Sequence, residues 1–301
     1  MGRGRTSPRR RSNMRTSAYR QRRSGAPVGL YIILAVAAVA LGIYIFTCIG
    51  GTSATAQTAR EASPATACGD LEKVITPAGM PGEMIDYKGF TVSFNPRTHV
   101  PNYVVWELLG SEAQGSEPRS NNFMADPGVK GSATPDDYKY TGYDRGHMAP
   151  AGDMKWDSNA MDESFYMTNM CPQAQELNRG AWKKLEEKCR AKAIADSAVI
   201  IVCGPIFDTK EPRARIGNTG VAVPDRFFKV ILSPYTDPVQ AIGFIMPNAQ
   251  VPGGMQPSAV SVDQVEAVTG FDFFSALPDD IENRVEAECN FNRWSHTARR
   301  R

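Results

Sequence analysis

The chain has 301 residues, 42% of them hydrophobic and 22% charged, and its formal charge is +2. That length leaves room for one large domain or two small ones plus accessory segments. The charge total excludes overall basicity as a guide to partners, because the basic residues concentrate at the two ends.

Residues 1–27 hold nine arginines, no lysine and no acid among Ser, Gly and Pro, so they cannot bury a core and are expected to be disordered. Val28–Gly50, VGLYIILAVAAVALGIYIFTCIG, carries no charge. At ~1.5 Å per residue it makes a helix about 34 Å long, enough to span a bilayer core. The apolar part of a cleaved signal peptide is shorter, roughly 7–15 residues, although Ala54-Thr55-Ala56 leaves a cleavage site open. With the arginines before the span, the N-terminus is expected to stay cytoplasmic. Everything after residue 50 is then exported, periplasmic or extracellular, on a single-pass membrane anchor.

Residues 51–67 read as an Ala/Thr/Ser-rich tether. Residues 68–292 form one domain of ordinary size, and 293–301 a short basic tail. The domain contains twenty Lys and Arg against 31 acids, a net charge near −11. Its basic residues cluster at Lys183, Lys184, Lys188, Arg190, Lys192, Arg213, Arg215, Arg226 and Lys229, and none occurs between Lys229 and Arg284. The cluster reads either as a positive groove on an acidic body or as a solvated helix face followed by loop charges.

Of six cysteines, Cys48 lies in the span, while Cys68, Cys171, Cys189, Cys203 and Cys289 follow it. In an oxidising compartment disulfides are permitted, and an odd count leaves at least one thiol over. Cys68 and Cys289 bracket the domain and could form a terminal clasp. No CxxC occurs, which argues against a zinc ribbon or a thioredoxin site.

Phe90–Phe94 and Tyr103–Leu109 are predicted strands by their β-branched and aromatic content. Residues 112–137, rich in Gly, Ser, Pro and Asp, make a loop long enough to suggest a functional region. Ser164–Met170 is a short apolar run. From Leu177 to Asp196 apolar residues recur three and four apart, predicting an amphipathic helix. Ser197–Cys203 reads as a buried strand stopped by Gly204-Pro205. Arg226–Leu232 and Ala241–Met246 are two further predicted strands, and Ser261–Thr269 and Asp279–Glu288 two short helices. The mixture predicts an α+β fold on a largely antiparallel sheet, without internal repeats.

Chemistry concentrates in two stretches. Tyr143–Pro150, YDRGHMAP, is either a charged surface turn or a catalytic loop. In the second reading Gly146 is a hinge, Arg145 offers a forked cation suited to phosphate, and Asp144 holds that fork or orients the loop. His147 is then the reactive group. With His99 and His296 the only other histidines, a zinc site is hard to assemble. In NMCPQAQELNRGAWKKLE, Asn178 stands at a helix start, where an amide caps exposed N–H groups. The same amide oxygen can ligate a hard cation such as Mg²⁺. Glu186, eight residues on and roughly 12 Å along a straight helix, could reach only the water around that ion or a substrate group. Trp182 reads first as a core anchor.

DRGHMAP followed by TNMCPQAQELNRGAWKKLE resembles the DNA/RNA non-specific endonuclease family, and VCGPIFD, VAVPDRFFKVIL and TGFDFF match its later stretches. The likeness covers roughly residues 85–288. It implies a ββα-metal (His-Me finger) fold, a hairpin plus helix set into a larger mixed sheet. It implies His147 as general base, Asn178 as the single protein ligand of Mg²⁺, Glu186 on the ion's water shell and Arg145 beside the scissile phosphate. Arg119, in EPRSNNFMADP, matches the upstream arginine, and Asn169 and Gln173 fit supporting polar positions in substrate binding. The implied partners are DNA and RNA. A homodimer, and Mn²⁺ in place of Mg²⁺, are left open. The competing reading is a nucleic-acid-binding or envelope-anchoring module that keeps the fold without catalysis.

Overall fold

The computed structural model describes residues 68–296. The basic leader, the expected membrane span at 28–50, the 51–67 tether and residues 297–301 lie outside them. Among the described residues no helix is long and apolar enough to cross a membrane.

In chain order the elements are β1 (Glu83–Asp86), β2 (Thr91–Asn95), β3 (Val100–Leu109), β4 (Tyr143–His147), α1 (Ser158–Glu163) and β5 (Met170–Ala174). A π-helical turn, Leu177–Trp182, runs into α2 (Lys183–Asp196). Then follow β6 (Ala198–Ile206), β7 (Arg215–Ile216), β8 (Val221–Ala222), β9 (Arg226–Ser233), β10 (Gln240–Pro247) and β11 (Ala259–Val260), and finally α3 (Val262–Thr269), α4 (Asp279–Ala287) and α5 (Phe291–Ser295).

One seven-stranded sheet orders them β1-β2-β3-β6-β9-β10-β11, every pairing antiparallel. The period of two sorts side chains to its two faces. On β3, β6 and β9, Trp106, Ile201, Phe227 and Ile231 face one core, shared with α2, β5 and the Met148-Ala149 segment after β4. Val105, Ile200, Val202, Phe228 and Val230 face the other, under α3, α4 and the Phe271–Leu277 connection. The central strand β6 is buried at every position, as its unbroken apolar sequence requires.

Gly204-Pro205 does not stop this strand. β6 continues through both residues in register with β9, and a Cβ on Gly204 would lie 2.4 Å from the Asn102 carbonyl oxygen on β3. Glycine is therefore the residue that lets the strands close. At the other end, Ser261 caps α3 and forms a capping box with Gln264. Beyond residue 292, Trp294 is buried with its ring centroid 5.2 Å from that of Phe244, so the packed body reaches into the segment read as tail. Cys289 is free and exposed, so the terminal clasp to Cys68 is not formed, while Cys171, Cys189 and Cys203 are free and buried.

Candidate active site

YDRGH is a strand, not a loop. β4 pairs antiparallel with β5, Asp144 opposite Gln173 and His147 opposite Met170. These residues are poor strand formers, and what holds them is burial beneath the helix that follows. Trp182, fully buried as the core anchor it resembled, donates from its indole Nε1 to the His147 carbonyl at 3.4 Å. Gly146 serves close approach rather than hinging: a Cβ there would fall 2.1 Å from Gln173 Oε1. Asn169 is buried and clamps the crossover between the strands. It accepts from the Ala149 N–H (2.9 Å) and donates to the Ala149 (2.8 Å) and Ser164 (2.9 Å) carbonyls. Asn169 and Gln173 thus support the floor of the site from inside, and neither is among the residues lining the cleft above it.

That cleft holds about 750 Å³ and gathers Arg119, Arg145, His147, Asn178 and Glu186 with Phe123, Tyr138, Lys139, Arg179, Lys183 and Arg190. Six of its lining residues are basic and two, Asp144 and Glu186, are acidic, on a domain that is acidic in total. The positive groove exists, but only Lys183 and Arg190 of the expected cluster line it. The long loop supplies much of the rest. A bridge between Met124 and Tyr166 ties that loop to the segment before β5 and brings the Phe123 and Phe165 rings edge to face, 4.9 Å between centroids.

The His147 ring packs against both aromatics, at 5.5 Å from Phe123 and 5.0 Å from Phe165. Each phenylalanine also seats an arginine: Arg145 Cζ lies 4.0 Å from the Phe123 centroid and Arg119 Cζ 4.8 Å from that of Phe165. Burial, then the charges of Arg119 and Arg145, push the His147 pKa down to about 3. The imidazole is therefore neutral, and its buried Nε2 has no hydrogen-bond partner in the protein.

Asp144 grips Arg179 rather than Arg145. It accepts from Arg179 Nε and Nη2, each at 2.8 Å, and from Asn178 Nδ2 at 2.9 Å. Burial opposes its ionisation, but the bonds from Arg179 and Asn178 prevail and hold the carboxyl below the usual range. Asn178 is not an N-cap, for the capping position belongs to Glu176 and makes no side-chain cap bond. The helix is not straight either. It begins as a π turn broken at Gly180 (φ −107°, ψ −109°), so the straight-helix separation of Asn178 from Glu186 does not apply. With its amide nitrogen on Asp144, Asn178 keeps its Oδ1 clear of any hydrogen bond from the described residues, a neutral oxygen suited to a hard cation. The donor set fits such an ion.

Beneath Glu186 lies a charge that the sequence groups with the basic cluster but that the fold buries. Lys229, 1% exposed on β9, places Nζ 4.6 Å from the Trp182 centroid and 5.0 Å from that of Trp106. Burial opposes its charge, but the surrounding Cys203, Cys189, Glu186 and Asp153 hold its pKa above the ordinary value. Burial keeps both thiols protonated at neutral pH, with Cys189 near 12 and Cys203 near 11, so Glu186 and Asp153 provide the balancing charge. Burial pushes Glu186 up to about 7 against the pull of Lys229. Asp153, buried, is held by Arg190 Nη1 at 2.7 Å and by Trp106 Nε1 at 3.2 Å. The sequence signal was a lysine in phase with Phe227 and Ile231 on a core-facing strand.

His147 makes stability depend on pH in a defined direction. Above pH 6.5 both folded and unfolded chains carry it neutral, so it contributes no slope. Between 6.5 and about 3 only the unfolded chain binds the proton, so stability falls on acidification and levels off below the folded value. Chemical denaturation from pH 7 to 4 should show a loss in the parent that His147→Gln lacks; equal slopes would contradict the buried neutral imidazole.

Comparison with known proteins accords with this geometry. Residues 68–280 match the family model for DNA/RNA non-specific endonuclease. The chain is 33% identical to Nuclease 1, mitochondrial, of Schizosaccharomyces pombe, over 71% of this chain and 74% of that one. It is 32% identical to human Endonuclease G, mitochondrial (65% and 71% covered), and 34% identical to human Nuclease EXOG, mitochondrial (65% and 59%). Its fold aligns with a chain of the crystal structure of an EndoG/EndoGI complex at a TM-score of 0.62 and 29% identity, covering 72% of this chain and 94% of the other. The protein belongs to the DNA/RNA non-specific endonuclease family.

Proposed function

We propose that this chain is a Mg²⁺-dependent phosphodiesterase that cuts DNA and RNA internally without reading their bases, carried on a membrane anchor at residues 28–50 with its catalytic domain exported. The observation that carries the reading is the neutral His147, its Nε2 unpartnered, between two arginines seated on aromatic rings in a basic cleft.

Backbone phosphate is the feature every nucleic acid offers, and the six cleft cations answer it without base contacts. Arg145 and Arg119 would take the oxygens of the scissile phosphate, their planar forks already oriented by Phe123 and Phe165. A bound phosphate cancels part of the arginine charge that depresses His147, so substrate makes the imidazole more basic when a base is needed. Nε2 then accepts the proton of a water whose oxygen attacks phosphorus. The bond to the 3′ oxygen breaks and that oxygen takes a proton from solvent water, leaving a 5′-phosphate and a 3′-hydroxyl. Asn178 Oδ1 would hold the divalent ion, with Glu186 near its water shell, and when bound the ion supplies positive charge to the phosphate and leaving oxygens. Burial raises Glu186 to about 7, and Lys229 pulls against that rise and so favours the carboxylate.

His147→Ala should lower plasmid and RNA cleavage by ~10²–10⁴-fold while nucleic-acid binding persists, and EDTA should silence the parent. Cleavage by the variant within threefold of the parent, or indifference to EDTA, overturns the general-base and metal assignments respectively.

Asn178→Ala should shift the Mg²⁺ midpoint for cleavage upward tenfold or more. Asn178→Asp keeps an oxygen but adds charge and alters the midpoint less. A parallel loss of melting temperature and rate at an unchanged midpoint would make Asn178 a structural residue only.

A chain of residues 51–301 should be soluble and cleave nucleic acid at the full chain's rate, whereas the full chain should sediment with membranes and leave them only in detergent. A folded but inert 51–301 chain would overturn the anchor-only reading of the N-terminal segment.

A further inference from the structure

The face of the sheet away from the cleft carries a second polar cluster that phosphodiester cleavage does not use. Asp263 and Glu266 stand one turn apart on α3, and Glu286 comes from the adjoining α4. One carboxylate oxygen from each lies within 4.8 Å of the other two. Glu286 is 6% exposed, and its Oε1 is buried without any hydrogen-bond partner. Glu266 Oε1 accepts from the Phe273 N–H at 2.8 Å, which fixes that side chain in place.

Among the described residues no cation pairs with Asp263, Glu266 or Glu286. The sequence from Lys229 to Arg284 contains no lysine or arginine between those two. Asp272 and Glu282 add further negative charge nearby. Burial, then the neighbouring Glu266, Glu282, Asp263 and Asp272, push the Glu286 carboxyl up to about 9. A buried, unpaired carboxyl facing two others is costly as it stands, and a bound cation removes that cost.

We propose that Asp263, Glu266 and Glu286 form a Ca²⁺ site, separate from the catalytic cleft, that ties α3 to α4. The donors are all oxygen, without a histidine or thiolate, which suits a hard ion rather than zinc or copper. Their spread of up to 4.8 Å matches two Ca²⁺–oxygen distances of about 2.3–2.6 Å. Mg²⁺, at about 2.0–2.1 Å and strict octahedral geometry, holds its waters and is seldom caged by protein alone. Asp263 is exposed, giving the ion a way in from solvent and room for water ligands. Bound there, Ca²⁺ would fasten two helices that cover the second core.

The test uses the full chain stripped with EDTA and titrated with CaCl₂, read by thermal melting and calorimetry. The parent's melting temperature should rise by about 5–10 °C at a Ca²⁺ concentration a hundredfold above its Kd. Glu286→Gln should melt at or above the metal-free parent and lose that rise. Asp263→Asn, at an exposed position that folding tolerates, should weaken Ca²⁺ binding tenfold or more while cleavage in saturating Mg²⁺ stays unchanged. A parent that gains no stability from Ca²⁺, or an Asp263→Asn variant that binds it as tightly as the parent, overturns the site. If Glu286→Gln does not fold, the Asp263→Asn arm decides.

Discussion

The catalytic half of the molecule hangs on one clasp, the grip of the Asp144 carboxylate on Asn178 and Arg179 across the joint between β4 and the π turn. β4 has little intrinsic reason to be a strand, and the turn has little reason to be a helix. Joined by a partly buried, charge-assisted set of bonds, each fixes the other. The clasp also decides which end of the Asn178 amide faces the cleft. Because Asp144 accepts from Nδ2, the oxygen is the end left over, so the orientation of a neutral side chain is set by a neighbouring carboxylate.

Charge is sorted by depth and by face. Cations line the cleft, Glu186 and Arg190 in its wall meet buried Asp153 and Lys229 beneath it, and acids gather on the far side. The buried layer would be expensive if its members stood apart, and the structure offsets this by proximity and by aromatic faces. Arg190 reaches Asp153 past Gly152, where a Cβ would lie 2.7 Å from the guanidinium. A family-wide fold thereby acquires a local field that no single residue supplies.

Strands such as β6, β9 and β10 were legible in the sequence because their apolar runs have no other stable home. The boundaries of α3 were equally plain, since Ser261 and Gly270 bound it at either end. β4 and β5 were not legible: Asp144, Gly146 and Pro172 argue against strand locally, and only pairing across the intervening residues, under Trp182, overrides them. At the site, His147, Arg145, Arg119, Asn178 and Glu186 were found and do share one cleft. What sequence could not display was the packing partner of each, because Phe123, Phe165 and Lys229 are distant in the chain and ordinary in composition. Asp144, expected to hold the Arg145 fork or orient the loop, grips Arg179 and Asn178, and Asn169, expected at a supporting polar position, bonds the backbone of Ala149 and Ser164.

The two kinds of cation in the cleft respond differently to ionic strength. Lys139 and Lys183 reach into solvent, where at about 0.15 M salt the screening length is roughly 8 Å and their pull on a distant polyanion fades quickly. Exposed Arg119 and half-buried Arg145 are each held on a ring at contact distance, so their placement rests on short-range packing rather than on long-range attraction. Salt should thus thin the traffic of nucleic acid into the cleft well before it disturbs the alignment of a phosphate that has arrived, making capture, rather than turnover, the salt-sensitive stage of the cycle.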